Sequence, residues 1–147
     1  MEIAQLIQQG AALQNTSDIS AAVLEASLLD AAPEYPLFDE TELLDNFDYD
    51  VDFAKSILAD AITEIPKDVI QLHEFCLGGT VQAVHHQAHT IKGMAANLCT
   101  PALREIALKI EMAAKEGDLK SSCGLLPELE QTAQSTISAI NRWIQSC

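Results

Sequence analysis

Residues 80 to 98, TVQAVHHQAHTIKGMAANL, carry the pattern that decides the fold. Val81, Val84, Ala88, Ile91, Ala95 and Leu98 recur every three or four positions, the spacing that lays one apolar stripe along a helix packed in a bundle. Thr100 follows as an N-cap candidate, with Pro101 at the first helical position, where a missing N–H costs nothing. Leu103, Ile106, Ile110 and Ala113 then line the inner face of a second helix, which Gly117-Asp118 breaks.

The same periodicity extends outward in both directions. Upstream, Phe47, Val51, Ala54, Leu58, Ile62, Ile65, Val69, Leu72 and Cys76 mark one face of a long helix closing at Gly78-Gly79, with a kink or short break expected at Pro66. Downstream, Leu119, Leu126, Leu129, Ala133, Ile137, Ile140 and Ile144 predict a last helix, with a bend at Pro127 and Trp143 near its end. No segment alternates apolar and polar residues over the length of a strand. Short connections between amphipathic helices make neighbours antiparallel, so the expected fold is all-α: an antiparallel up-and-down four-helix bundle with an additional short N-terminal helix or helices. Residues 37–147 would form the bundle. Residues 1–36 read as an acidic leader or linker that can be helical, with Ile3, Leu6, Ile7 and Leu13 on one face, Ile19, Val23, Ala26 and Leu29 on another, and Pro33 and Pro36 as its end.

With 147 residues, 48% of them apolar, the chain can bury one core. Its formal charge of -14 repels the phosphates of nucleic acid and of anionic lipid, so neither is an expected partner. The first base is Lys55, and twelve of the 22 acidic residues precede it, which concentrates the charge in the leading segment. No apolar run approaches the roughly 20 residues of a membrane-spanning helix, and no membrane contact is expected. Cys76, Cys99, Cys123 and Cys147 are widely spaced with no C-x-x-C pair and read as free thiols in a reducing cytoplasm.

Chemistry concentrates around three histidines. Ala88 and Ile91 face the core, which sets His89 at the edge of the stripe with part of its ring open to water. Lys92 and Gly93 follow at i+3 and i+4, on the same face one turn on. A neutral imidazole is a nucleophile when its proton sits on the other nitrogen; an adjacent ammonium offsets the charge of an incoming phosphoryl group, and an adjacent glycine leaves a partner room. His85 and His89, at i and i+4, also have the spacing of helical metal ligands, with His86 close by. Further ligands are not supplied by spacing, and metal binding is the weaker alternative. His86 and Met94 belong to the exposed surface expected to meet a partner. There is no Gly-rich phosphate loop and no Walker lysine, hence no expected ATP site or kinase activity.

The string Ala88-His89-Thr90-Ile91-Lys92-Gly93-Met94-Ala95-Ala96-Asn97-Leu98 resembles the phospho-accepting motif of histidine-containing phosphotransfer domains. The resemblance extends from about Phe38 to Trp143, through Leu43-Leu44-Asp45-Asn46-Phe47, Ala113-Ala114-Lys115-Glu116-Gly117-Asp118 and Leu125-Leu126-Pro127-Glu128-Leu129-Glu130. It implies a phosphoryl carrier of a two-component phosphorelay. His89 would accept the group from a receiver aspartate and pass it to another receiver, Lys92 would steady it and Gly93 would admit the partner. A Glu or Gln on the next helix commonly holds the second ring nitrogen in this family, and the matching position is Glu111. The residue pattern agrees, since Glu111 stands beside the core position Ile110. The implied partners are receiver domains of response regulators and hybrid sensor kinases, and the receiver would supply the Mg2+. The chain itself is expected to bind no cofactor or metal. It is expected to be a cytoplasmic monomer, free-standing or the cytoplasmic end of a hybrid sensor kinase. A helical adaptor that binds receivers without phosphorylation is the alternative. One departure is Cys99, where many members carry the glycine that suits a left-handed helix cap.

Overall fold

The computed structural model describes residues 35 to 146; the expectations for the leader up to residue 34, and for Cys147, lie outside the described residues. Six helices run α1 Glu40–Asn46, α2 Val51–Gly78, α3 Val81–Asn97, α4 Pro101–Lys115, α5 Leu119–Gly124 and α6 Leu126–Ser146, with no strand among the described residues. The four long helices form a ring in which α3 and α6 each pack against both α2 and α4, while neither diagonal pair approaches closely. Connections of two or three residues, Gly79-Thr80 and Leu98-Cys99-Thr100, force α2, α3 and α4 to alternate in direction. The interior is filled by the stripes the sequence predicts: Leu58, Ile65 and Leu72 from α2, Val84 and Ile91 from α3, Leu103 and Ile110 from α4, Leu129 and Ile140 from α6, all fully buried. Each such side chain contributes about 2 kcal/mol by leaving water.

Two boundaries differ from the sequence expectation. Phe47 does not begin α2 but caps the separate short helix α1; two residues with positive φ, Asp48 (54°) and Tyr49 (62°), turn the chain before the Asp50 side chain caps α2 through the Phe53 N–H at 3.0 Å. The single last helix is two, because Leu125 ends α5 and α6 begins at Leu126, with Pro127 in its first turn, where a proline needs no donor. At Pro66, where the sequence allows either a kink or a short break, α2 continues unbroken, and the proline lies on the exposed face, where water can serve the backbone group left unpaired.

The expectation of free thiols is corrected for two of the four cysteines. Cys76, near the end of α2, and Cys123, in α5, form a disulfide with their Cα atoms 5.8 Å apart. Their 47-residue separation hid the pairing, which exists only because the bundle returns α5 to the end of α2. Among the described residues Cys99 is a free, buried cysteine. No helix among the described residues is long and apolar enough to cross a membrane.

Candidate functional site

The α3–α4 hairpin builds the site, and its two ends are fixed by the same backbone device. After α4 the chain closes in a Schellman turn: the Gly117 and Asp118 N–H groups donate to the Ala114 and Ala113 carbonyls, both at 2.9 Å, with Gly117 at φ 80°. After α3 the pattern repeats. Cys99 and Thr100 donate to the Ala96 carbonyl at 3.2 Å and the Ala95 carbonyl at 3.0 Å, and Cys99 holds φ 57°. The turn that favours glycine is therefore made with cysteine, at a cost of about 1–2 kcal/mol for the Cβ in left-handed backbone. What the side chain adds is closure of the bundle end: it is 3% exposed, its sulfur accepts from Asn46 Nδ2 of α1 at 3.6 Å, and its carbonyl accepts from the Asp39 N–H at 2.8 Å. Thr100 begins α4 without a side-chain cap, since its hydroxyl donates back to the Ala95 carbonyl at 3.0 Å.

Along α3, Gln87 and Ala88 face inward and His89 comes next at the rim. The Gln87 amide donates to the Asp68 carbonyl of α2 at 2.9 Å, which pins the middle of α3 against its other neighbour. His89 Nδ1 then meets Glu111 Oε2 of α4 at 2.8 Å, while the His89 side chain remains 61% exposed and that of Glu111 only 11%. Lys92 Nζ forms an ion pair with the other carboxylate oxygen, Oε1, at 2.8 Å, its side chain 26% exposed. His85 Nε2 stands 3.8 Å from Oε2. Burial works against ionisation of Glu111, but the Lys92 and His89 contacts and their charges outweigh it and hold the carboxyl below its ordinary range. An ionised carboxylate accepts hydrogen bonds and donates none, so the proton in the His89–Glu111 bond belongs to Nδ1. In the neutral ring the lone pair is then on Nε2, which has no hydrogen-bond partner among the described residues.

An open groove of about 430 Å³ between α3 and α4 is lined by His85, His86, His89, Lys92, Leu108, Glu111, Met112 and Lys115. Three imidazoles and two ammonium groups thus share one wall with a single carboxylate, in a chain whose formal charge is -14. Gly93 is exposed, and a Cβ built on it would meet nothing within 4 Å. Met94 is half-buried against the core and does not line the groove. Sequence reasoning missed the α4 side of this surface. Leu108 and Lys115 stand three before and four after Glu111, so the helical spacing that selects Glu111 selects them also, and Met112 follows Leu108 at i+4 along the outer side of the groove. His85 and His89 converge on one carboxylate, and among the described residues no group of three or more His, Cys, Asp or Glu side chains is arranged to hold a metal ion.

A family model described as "Hpt domain" matches residues 56–139. Among solved structures, the chain is similar to histidine-containing phosphotransfer protein B (HptB) from Pseudomonas aeruginosa PAO1. The TM-score is 0.70 and the identity 21%, over 76% of this chain and 97% of that one. At that identity the likeness speaks for the fold. A search of curated proteins found no match.

Proposed function

The chain belongs to the Hpt domain family, phosphocarrier modules of two-component signalling, and on that footing we propose that it carries a phosphoryl group on Nε2 of His89. The 2.8 Å contact between His89 Nδ1 and Glu111 Oε2 carries this reading. It fixes the proton on one nitrogen and leaves the other as the nucleophile on the exposed side of the ring.

The donor is a phospho-aspartate of a receiver domain. His89 Nε2 attacks phosphorus in line, the N–P bond forms as the P–O bond to the aspartyl carboxylate breaks, and the carboxylate leaves. As Nε2 donates its electron pair to phosphorus the imidazole ring takes on positive charge, and Glu111, already ionised, offsets it through the Nδ1 proton. Transfer onward to a second receiver reverses these steps. Lys92 provides positive charge for the phosphoryl oxygens, and Gly93 removes the side chain that would stand in a docking receiver's way. The Mg2+ that such transfer needs comes with the receiver's own acidic pocket. His86 and the α4 residues Met112 and Lys115 extend the docking surface along the groove.

Incubation with a phosphorylated receiver, comparing wild type with His89→Gln, tests the reading. Label passes to the wild type and not to the variant. Transfer to both, or to neither from any cognate receiver, contradicts it.

A further inference from the structure

Lys92 is given two tasks by this site, pairing with Glu111 and steadying the phosphoryl group, and the two draw on the same ammonium. In the structure its ammonium is 2.8 Å from Glu111 Oε1. A phosphoryl group on the outward nitrogen of His89 competes for that ammonium and draws it away from Glu111. The departure would strip a buried carboxylate, 11% exposed, of one of its two close partners. Removing one partner of a buried charge pair is costly because the remaining charge stays out of water. Left uncompensated, that cost falls on the phosphorylated state and holds Lys92 back.

His85 is placed to compensate. It lies on α3 one turn before His89, as Lys92 lies one turn after it, and its Nε2 is 3.8 Å from Glu111 Oε2. That distance is an electrostatic contact and too long for a hydrogen bond, whereas His89 Nδ1 already holds the same oxygen at 2.8 Å. A carboxylate has about four lone-pair sites on its two oxygens, so Glu111 has room for another donor. The His85 ring is 39% exposed and needs only a small rotation to close the gap. Building on the carrier reading, we propose that His85 is a positioning residue that takes over Glu111 when Lys92 swings to the phosphoryl group. His85 never touches the phosphoryl group; it acts by freeing the lysine that does.

The hand-over is tested by transfer kinetics from a phosphorylated receiver, phosphohistidine lifetime and side-chain 15N NMR of the full chain. His85→Leu removes the donor and keeps apolar bulk. It is expected to slow phosphoryl acceptance and shorten the phosphohistidine lifetime on the order of fivefold, the fold-change of one net hydrogen bond. His85→Gln restores a donor at the same reach and recovers most of the loss. In a Lys92→Ala background His85→Leu adds no further slowing, because no lysine remains to be released. The His85 nitrogen resonances of the wild type shift when His89 is phosphorylated, toward those of unphosphorylated Lys92→Ala. Wild-type rates in His85→Leu, additive slowing in the double variant, or a leucine variant that Gln does not rescue each overturn the hand-over while leaving His89 as carrier. Absence of label on wild-type His89 overturns both.

Discussion

At Glu111 the lowered pKa has a consequence for pH. Burial raises it, and the Lys92 and His89 contacts lower it by more, so the folded carboxyl ionises below the unfolded value of about 4.3. A group depressed on folding contributes its full stabilisation above the unfolded pKa and loses it as pH falls through the folded one. The stability difference between wild type and Glu111→Gln, from denaturant melts, should therefore be constant near neutrality and shrink below about pH 4; a difference that grows there contradicts the assignment. In function, Glu111→Ala should slow acceptance about tenfold or more, the worth of a hydrogen bond to a charged group, and should broaden the His89 tautomer distribution seen by NMR. Gly93 separates stability from activity. Because a Cβ there meets nothing within 4 Å among the described residues, Gly93→Ala should stabilise the helix by about 1 kcal/mol and yet slow transfer by obstructing the partner. An alanine variant with unchanged transfer rates removes the docking role from Gly93.

At the scale of elements, the α3–α4 turn shows where sequence is legible and where it is not. The stripe from Val81 to Leu98 predicts the helix, its buried face and the exposure of His89, since all follow from local period. Cys99 in a left-handed cap is resolved only in three dimensions, because the Asn46 and Asp39 contacts that occupy its side chain and carbonyl come from α1, far away in sequence. Cys99→Gly should be nearly neutral, relief of backbone strain offsetting lost burial, whereas Cys99→Val should cost more than 1 kcal/mol because a β-branched residue tolerates that backbone least. Burial, with the Glu42 and Asp39 charges adding to it, pushes the Cys99 thiol up to about 11, so alkylation of the native protein at pH 8 should spare it and modify it only on unfolding. The same blindness to long range explains α1 and the Cys76–Cys123 bond. The spacing of Phe47 fits the stripe of α2 although the chain turns before reaching it, and no local signal pairs cysteines 47 residues apart. Closing a loop of that length stabilises by about 4 kcal/mol in the chain-entropy account, so reduction or Cys123→Ser should lower unfolding stability by about 2–4 kcal/mol. An unchanged melt under reducing conditions contradicts the staple.

For the whole molecule, the bundle holds one carboxylate of α4 against one imidazole of α3, the pair on which the proposed function rests. The α2 and α6 helices complete the core behind that pair, and Gln87 ties α3 to α2 within two residues of His89. The charge is arranged to match. In an acidic chain, imidazoles and ammonium groups gather along the α3–α4 groove, which suits the anion that the proposed carrier would receive there. The central claim is one of orientation: Nδ1 of His89 held inward by Glu111, Nε2 turned outward to take the phosphoryl group. Long-range 1H–15N correlation of the phosphorylated protein, which reports the two ring nitrogens separately, measures it directly. The account predicts phosphorus on Nε2 with a proton retained on Nδ1; phosphorus on Nδ1, or on a histidine other than His89, contradicts it.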